Sequence, residues 1–188
     1  MTRIVHPIEA RSYRILRSIV DTAMLTPRTR DVVERIIHTT ADPTWRDDLV
    51  ADEAALAAAA LLGAPLGHDH AYLSLSDLHT PWPVIADRLR ACAEADLVVC
   101  LYNPRSARRT GQFDEALAIL GKHRPDSTPV GVVRDASRPG ERVVRTTLGA
   151  LTADPSIVDM RSVVLVGSGR TTVVAGRMVT PREYRWLS

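Results

Sequence analysis

Residues 97–106 read LVVCLYNPRS, the clearest strand-to-helix transition in the sequence. An apolar run ends at Tyr102, a polar turn follows, and a helical pattern begins after Ser106. Open α/β sheets place ligands at the carboxyl ends of strands that end in this way. An ordinary strand-to-helix loop that contains a proline has the same pattern, so a ligand-binding loop and a plain turn both remain open.

Strands and helices alternate along the chain after Gly63. The spacing predicts an α/β fold: an open, mostly parallel sheet with helices on both faces, preceded by an α-helical segment. The predicted strands cover residues 71–75, 97–102, 129–134, 141–146, 162–167 and 171–175, and the predicted helices between them cover 82–95 and 108–123. We therefore expect two domains, a helical segment over 1–62 and an α/β domain over 63–188.

Three helices are predicted in the first third of the chain. Pro7 suits the first turn of one helix, and the pair Thr26-Pro27 combines an N-cap residue with a proline in the first turn of the next. Asp52 is the predicted cap of a third, alanine-rich helix over 53–62.

Composition excludes several classes of protein. With 188 residues, 45% of them hydrophobic, the chain can bury one good core. The net charge of +2 and the scattered arginines predict no nucleic-acid partner. The longest apolar stretch, 54–62, is too short to span a bilayer, which predicts no membrane partner. Cys92 and Cys100 are expected to be reduced core residues of a cytoplasmic protein, since the first residues have no features of a leader.

Residues from about 63 to 184 closely resemble the C-terminal half of the precorrin-3B C(17)-methyltransferases, which belong to the tetrapyrrole methylases of cobalamin biosynthesis. The strings that carry the resemblance are GAPLGHDHAYLSLSDLHTPW, ADLVVCLYNPRS, TPVGVVRDASRPGERVVRTTL, DMRSVVLVG and MVTPREY. They occur in the order and spacing of that family.

Residues from 6 to about 60 instead resemble the opening helices of the precorrin-8X methylmutases. The strings here are HPIEARSYRILRSIVDTA, TPRTRDVVERIIHTTAD and DLVADEAAL. The chain thus resembles the N-terminal part of one corrin-ring enzyme joined to the C-terminal part of another, with the join between Leu56 and Gly63. An in-frame deletion between pathway genes and a deliberate recombination of fragments both explain such a chain.

The methyltransferase resemblance implies S-adenosylmethionine as the cofactor, held in a cleft between two α/β domains. The second domain supplies much of the adenosine side of that cleft. The positions that match it are Tyr102, Asn103, Ala136, Ser137, Thr146, Thr147 and Leu148. A purine suits a shallow apolar slot edged by a few backbone donors and acceptors.

Part of the family's cofactor machinery has no counterpart in the sequence. The family's first domain carries a glycine-rich loop, and no glycine precedes Gly63 here, so a tight backbone turn of that kind has no candidate. Gly167-Ser168-Gly169 also stands where the family usually has an Asn-Ser pair after the glycine. We expect weak cofactor binding and no efficient methyl transfer.

The methylmutase resemblance implies that His38 is a catalytic acid, because the matching histidine of that family protonates the macrocycle during methyl migration. An imidazole has a pKa near neutrality and can both donate and retrieve a proton. Tyr13 and Arg14 match positions that could approach the carboxylates of the substrate. From spacing alone, a helix-terminal histidine and a packed tyrosine beside a solvated arginine explain the same residues.

Two further motifs favour plain structural roles. His68 and His70 flank Asp69 before a predicted strand, but the segment lies inside the methyltransferase match, so we expect no metal there. The turn over 167–170 could hold a phosphate, but it lacks the lysine and the helix start of a P-loop.

The function expected from the sequence is therefore one derived from cobalamin biosynthesis, with activity lost or residual. The alternatives are a non-catalytic tetrapyrrole- or nucleoside-binding protein and a recombined or relic fold without a ligand. A precorrin-like tetrapyrrole is the expected small-molecule partner. We expect the N-terminal helices to cover the apolar sheet, with Leu56 among the contacts, and otherwise a homo-oligomer such as a dimer.

Overall fold

The structure, a computed structural model, describes residues 46–106, 109 and 111–182, with the backbone alone for 46–53. The two helices expected to begin near Pro7 and Pro27 lie outside these residues. The chain divides into two units between Val50 and Ala51, and both β-sheets belong to the second unit.

The elements of the described chain, in order, are four helices and eight strands. They are α1 (Arg46–Leu62), β1 (Gly63–Ala64), β2 (His70–Ser74), α2 (Trp82–Glu94), β3 (Val98–Tyr102), α3 (Gly111–Gly121), β4 (Pro129–Arg134), β5 (Arg142–Thr147), α4 (Leu148–Ala153), β6 (Ser162–Val166), β7 (Thr172–Val174) and β8 (Arg177–Val179). A single 3₁₀ turn, Pro155–Ile157, connects α4 to β6. No helix in the described part of the chain is long and apolar enough to cross a membrane.

The main sheet confirms the α/β class and the helices on both faces, but its strands are not mostly parallel. Its five strands lie in the order β2-β3-β6-β4-β5. Only β2 and β3 pair in parallel, whereas β6 runs antiparallel to both β3 and β4, and β5 antiparallel to β4. Residues 135–141 between β4 and β5 are too few for a parallel crossover, so these two strands form a hairpin.

Helices cover both faces of the sheet because successive side chains of a strand point to opposite sides. On one face, α2, α3 and α4 pack against the even-numbered valines of β4 and β6, together with Val99 and Leu101 of β3. On the other face, Ala55, Ala58 and Leu62 of α1 pack against the intervening residues, which include Cys100 and Leu165. The core therefore consists of two layers with β3, β6 and β4 between them.

A glycine in β4 lets α1 lie close to the sheet. A Cβ on Gly131 would overlap the Cδ1, Cδ2 and Cγ atoms of Leu62, which is fully buried. The small side chains of Ala55 and Ala58 serve the same close approach from the helix side. Two sequence predictions about this helix are wrong. Asp52 does not cap a helix start, because α1 runs continuously through it. Leu56 is 59% exposed and does not pack against the sheet.

A second, three-stranded sheet, β1-β8-β7, joins the end of α1 to the carboxyl-terminal hairpin. The φ of Gly63 is +135°, and a Cβ there would meet the backbone of Met178, so a glycine is required where α1 ends and β1 begins. The sequence patterns do not reveal β1, β8 and α4, which have two, three and six residues. Elements this short carry too few periods of a pattern to be recognised.

Replacing Gly131 by alanine should lower the free energy of unfolding by about 1–3 kcal/mol, because the added methyl group forces Leu62 and α1 away from the sheet. Urea unfolding of the full chain, followed by far-ultraviolet circular dichroism, measures the change. Gly121→Ala is the matched control, since nothing lies within 4 Å of a Cβ at that exposed position. Equal stabilities of the two variants would show that α1 does not need the close approach.

Candidate functional site

The main sheet has two opposite edges at which its strands begin or terminate. We call them the Tyr102 end and the Thr147 end, after a residue at each. At the Tyr102 end, β2, β3 and β4 terminate and β5 and β6 begin. At the Thr147 end, β5 and β6 terminate and β2, β3 and β4 begin. Each end is thus lined by loops from several strands, as ligand sites of α/β proteins are.

Three non-glycine residues at the Tyr102 end adopt left-handed backbone conformations. Asn103 follows β3 with φ +50°, and Asp135 and Ser137 follow β4 with φ +53° and +59°. Each such conformation costs free energy for a residue with a Cβ, of the order of 1 kcal/mol or more, and such residues cluster at ligand sites. The strand β6 separates the two loops, so they are two strand spacings apart, about 10 Å.

The loop after β3 is fastened to the neighbouring loop after β2. Asn103 Nδ2 donates a hydrogen bond to Ser74 Oγ at 3.3 Å, and the Leu75 amide donates to the Tyr102 carbonyl at 3.0 Å. Arg109, with a side chain only 11% exposed, donates to the carbonyl oxygen of Asn103 at 2.7 Å and also to that of Leu75. These bonds hold both strand ends in one arrangement.

A network of charged side chains fixes the loop after β4. Arg161 Nε donates to Asp135 Oδ1 at 2.6 Å, and Arg134 Nε donates to Asp159 Oδ2 at 2.7 Å. Asp135 is buried, and its Oδ2 lies 3.4 Å from Arg134 Nη1, close enough for an ion pair but without hydrogen-bond geometry among the described residues. The Ser137 amide donates to Glu141 Oε2 at 2.8 Å, which closes the turn.

The same network shifts two pKa values in opposite directions. Partial burial opposes ionisation of Asp159, but hydrogen bonds from Arg134, Ser162 and the Arg161 amide outweigh it and lower the pKa of the Asp159 carboxyl. The hydrogen bond to Asp159 in turn raises the pKa of Arg134 above its usual value. Both groups are therefore held in their charged forms at neutral pH.

The structure brings together four of the seven residues expected around the nucleoside. Tyr102 and Asn103 lie at the end of β3, and Ala136 and Ser137 lie in the loop after β4, all at the Tyr102 end. Thr146, Thr147 and Leu148 lie at the opposite end, about 20 Å away along a strand of six residues.

Thr146, Thr147 and Leu148 have structural roles at the Thr147 end. Thr147 Oγ1 accepts a hydrogen bond from the Ala150 amide at 3.3 Å and caps α4. Leu148 is 1% exposed and belongs to the main core, and Thr146 pairs with Val130 in the β4–β5 ladder. One adenosine slot cannot be lined by both groups of residues in this arrangement.

The residues expected from the methylmutase resemblance, namely His38, Tyr13 and Arg14, lie outside the described part of the chain. Their roles stay predictions.

A cavity of about 470 Å³ opens at the Tyr102 end, beside the Asp135 network. Its polar lining comes from Arg105, Ser106, Ser156, Asp159 and Arg161, and its apolar lining from Val158 and Met160. Sequence reasoning missed these residues, although Arg105 belongs to the YNPRS turn and Arg161 to the DMRS string. Their meeting depends on the antiparallel placement of β6 beside β3, which no local pattern encodes.

The histidines near β2 make local contacts. His68 Nδ1 accepts from the Asp69 amide at 2.8 Å, and His70 Nδ1 lies 3.0 Å from the His68 carbonyl oxygen. Among the residues that the structure describes, no group of three or more histidine, cysteine, aspartate or glutamate side chains could hold a metal ion.

The turn over 167–170 is satisfied by its own neighbours rather than open to an anion. The Ser168 amide donates to Thr171 Oγ1 at 2.8 Å, and the Gly169 amide donates to Asp96 Oδ1 at 2.7 Å. The Arg170 amide donates to Ser168 Oγ at 3.3 Å. A phosphate would have to displace these bonds, so the plain-turn interpretation is favoured.

The two cysteines are not joined by a disulfide and occupy different layers of the core. Cys100 is fully buried on the α1 face, whereas Cys92 of α2 packs against the other layer. The sheet separates the two sulfur atoms, so these two residues cannot form a disulfide with each other in this fold.

Asp159→Asn should weaken the acid sensitivity of folding. A folded-state pKa below the unfolded value stabilises the protein above the unfolded pKa of about 4, and this stabilisation is lost as the pH falls through the folded value. The wild type should lose about 0.5–1 kcal/mol more than the variant between pH 6 and pH 3, a modest amount because the Asp159 side chain is 46% exposed. Urea unfolding at the two pH values measures it.

The exposed Asp114 of α3 offers the control for that measurement. Asp114→Asn should keep the wild-type difference between pH 6 and pH 3. If Asp159→Asn keeps it as well, the ion pair with Arg134 adds nothing to stability.

Two family models match this chain. The model of the tetrapyrrole (corrin/porphyrin) methylases covers residues 53–152, and that of precorrin-8X methylmutase covers residues 7–65. The resemblance to two corrin-ring enzymes is thus confirmed, and the two matches overlap over residues 53–65, which include the later part of α1 and all of β1.

Curated relatives and a solved structure resemble the second part of the chain. A probable cobalt-factor III C(17)-methyltransferase of Salmonella typhimurium is 52% identical over 131 residues, which are 70% of this chain and 54% of that protein. A precorrin-3B C(17)-methyltransferase of Sinorhizobium is 46% identical over 140 residues, 72% of this chain and 54% of that protein. The crystal structure of the methyltransferase CobJ matches with a TM-score of 0.63 and 39% identity, over 67% of this chain and 52% of that one.

The chain spans about half the length of these curated relatives. The methylase model alone nevertheless covers more than half of the chain, in the region that forms α1 to α4 and the strands between them. The chain belongs to the tetrapyrrole (corrin/porphyrin) methylase family.

Proposed function

We propose that this chain acts in the methylation of a corrin precursor during cobalamin biosynthesis, and that its Tyr102 end binds the nucleoside of S-adenosylmethionine. The observation that carries the proposal is the clustering of three left-handed, non-glycine residues in two loops about 10 Å apart at that end. Relatives named as C(17)-methyltransferases of precorrin-3B or cobalt-factor III support the substrate class.

The chemistry of the two loops fits a purine nucleoside. Tyr102 is half-buried and offers an aromatic face, while Ala136 is small, half-buried and packed against the α1-side core. Backbone groups can recognise a purine without long side chains, and the proposal assigns this role to those backbone groups of the two loops that are not used in the hydrogen bonds described above. The bonds from Arg109 hold the Asn103 loop in place before a ligand arrives, which lowers the entropy lost on binding.

The proposal narrows the expected nucleoside site to four residues: Tyr102, Asn103, Ala136 and Ser137. It leaves Thr146, Thr147 and Leu148 with their roles in the sheet and in α4. We propose further that the functional division of the chain falls at Gly63, where α1 ends and the first strand begins.

Titration calorimetry with S-adenosylhomocysteine tests the site. Asn103→Val should weaken binding by about tenfold or more, because a β-branched residue disfavours the left-handed conformation by roughly 1–3 kcal/mol and the loop must change. Asn103→Gly should weaken binding less than Asn103→Val does, since glycine adopts this conformation freely and loses only the hydrogen bond to Ser74.

Thr146→Val supplies the control at the other end of the sheet and should leave binding unchanged. A flat thermogram for the wild type would overturn the nucleoside site. Loss of binding in Thr146→Val, with Asn103→Val unaffected, would move the site to the Thr147 end.

We propose that the chain alone binds the cofactor without efficient methyl transfer. No glycine occurs in residues 1–62, so this segment cannot form the glycine-rich loop that the family places on the other side of the cofactor. Incubation of the purified chain with a precorrin and cofactor labelled at the transferable methyl group should give no labelled ring. Labelled product at the rate of a complete methyltransferase would contradict this.

A further inference from the structure

We propose that Arg161 is a positioning residue for nucleoside binding, because it holds the loop over residues 135–141 through the buried carboxylate of Asp135. This loop carries Ala136 and Ser137 of the proposed nucleoside site. The inference rests on the proposed function and deepens it, since it assigns control of the affinity to a residue outside that site. Arg161 comes just before β6, whereas the 135–141 loop follows β4.

Arg161 and Asp135 are joined by two hydrogen bonds of opposite direction. Arg161 Nε donates to Asp135 Oδ1 at 2.6 Å, and the Asp135 amide donates to the Arg161 carbonyl oxygen at 3.2 Å. The first bond joins two charged side chains and is therefore of the stronger kind, and the second joins the backbones. Together they fix the first residue of the 135–141 loop against the segment that enters β6.

Two further residues close this pair into a ring of four charged residues. Arg134 Nη1 lies 3.4 Å from Asp135 Oδ2, and Arg134 Nε donates to Asp159 Oδ2 at 2.7 Å. The Arg161 amide donates to Asp159 Oδ1 at 3.0 Å, which completes the ring. Without the Arg161 guanidinium, Asp135 would keep only the contact with Arg134, which has no hydrogen-bond geometry.

The 135–141 loop is folded around the Asp135 carboxylate. The Asp135 side chain is only 2% exposed, and a Cβ on Gly140 would lie 3.6 Å from its Oδ2, so the returning part of the loop covers the carboxylate. The Arg138 amide also donates to the Asp135 carbonyl oxygen at 2.9 Å. A carboxylate buried without its hydrogen-bonded partner costs much free energy, so the loop would open until water reached it.

The backbone of the loop needs the support that Arg161 gives. Asp135 and Ser137 have φ values of +53° and +59°, which residues with a Cβ adopt only where the surrounding structure imposes them. Opening of the loop would let both residues leave the left-handed region and would move Ala136, which lies between them. The affinity for the nucleoside thus depends on a guanidinium that acts through Asp135 and not on the ligand.

Titration calorimetry of the full chain with S-adenosylhomocysteine tests this role. Arg161→Met keeps the aliphatic part of the side chain and should weaken binding by about tenfold or more, because a buried carboxylate loses its partner. The double variant with Arg161→Met and Asp135→Asn should recover most of the lost affinity, since the amide is neutral and asparagine tolerates the left-handed conformation. Neutralising Asp135 could not restore affinity if Arg161 acted on the ligand itself.

Arg142→Met is the matched control for the loss of one positive charge. Arg142 is an exposed arginine at the same end of the sheet, where it pairs with Arg134 in the β4–β5 ladder. It should bind S-adenosylhomocysteine as the wild type does. The midpoint of thermal unfolding shows that each variant is folded at the temperature of the titration.

Amide hydrogen exchange of the ligand-free chain, followed by NMR, gives a second measurement that does not depend on binding. In Arg161→Met, the Ser137 and Arg138 amides, which donate within the loop, should exchange at least about tenfold faster than in the wild type. The double variant should slow them again. The Leu75 amide, which donates to the Tyr102 carbonyl oxygen, should keep its wild-type rate.

Unchanged affinity and unchanged exchange in Arg161→Met would overturn the role of Arg161. A loss of affinity that Asp135→Asn does not recover would overturn it too, and an equal loss in Arg142→Met would reduce the effect to one of net charge. A flat thermogram for the wild type, with faster exchange of the loop amides in Arg161→Met, would reject the nucleoside site but support the hold of Arg161 on the loop. The two proposals can thus fail separately.

Discussion

The central strand β6 sets the direction of its two neighbours and the position of the loops at the Tyr102 end. All five of its residues are buried, and it pairs antiparallel with β3 on one side and β4 on the other. Because it lies between them, the loops that follow β3 and β4 emerge at the same end of the sheet and are held a fixed distance apart. The segment that leads into β6 enters at that end too and brings Asp159 and Arg161 to the Asp135 loop.

The sequence predicts most elements because their patterns are local. The strand predicted over 129–134 has the same bounds in the structure, and the other long strands differ by a residue or so. An apolar run such as Ser162–Val166 identifies a buried strand but says nothing of its direction. The expectation of a mostly parallel sheet is wrong for this reason, although the short connection over 135–141 already requires a hairpin.

The direction of the strands also explains where the expected nucleoside residues lie. Strings that match one family can lie at either end of a sheet, and the resemblance does not say which. Since β5 runs antiparallel to β4, Thr146 and Thr147 lie far from Ala136. Arg105 and Arg161 lie close together because β6 runs antiparallel to β3, so that the start of β6 lies beside the end of β3. Long-range pairing of this kind has no signal in a single sequence.

The close contact between Leu62 and Gly131 joins the stretch that both family models match to a part of the chain that the methylase model alone matches. The inward-facing residues Ala55, Ala58 and Leu62 all lie in the stretch that both family models match, residues 53–65. The matches to both family models therefore include the α1 residues that pack over β4. A join between the two parent sequences upstream of residue 53 would therefore leave every residue of the contact between α1 and β4 unchanged.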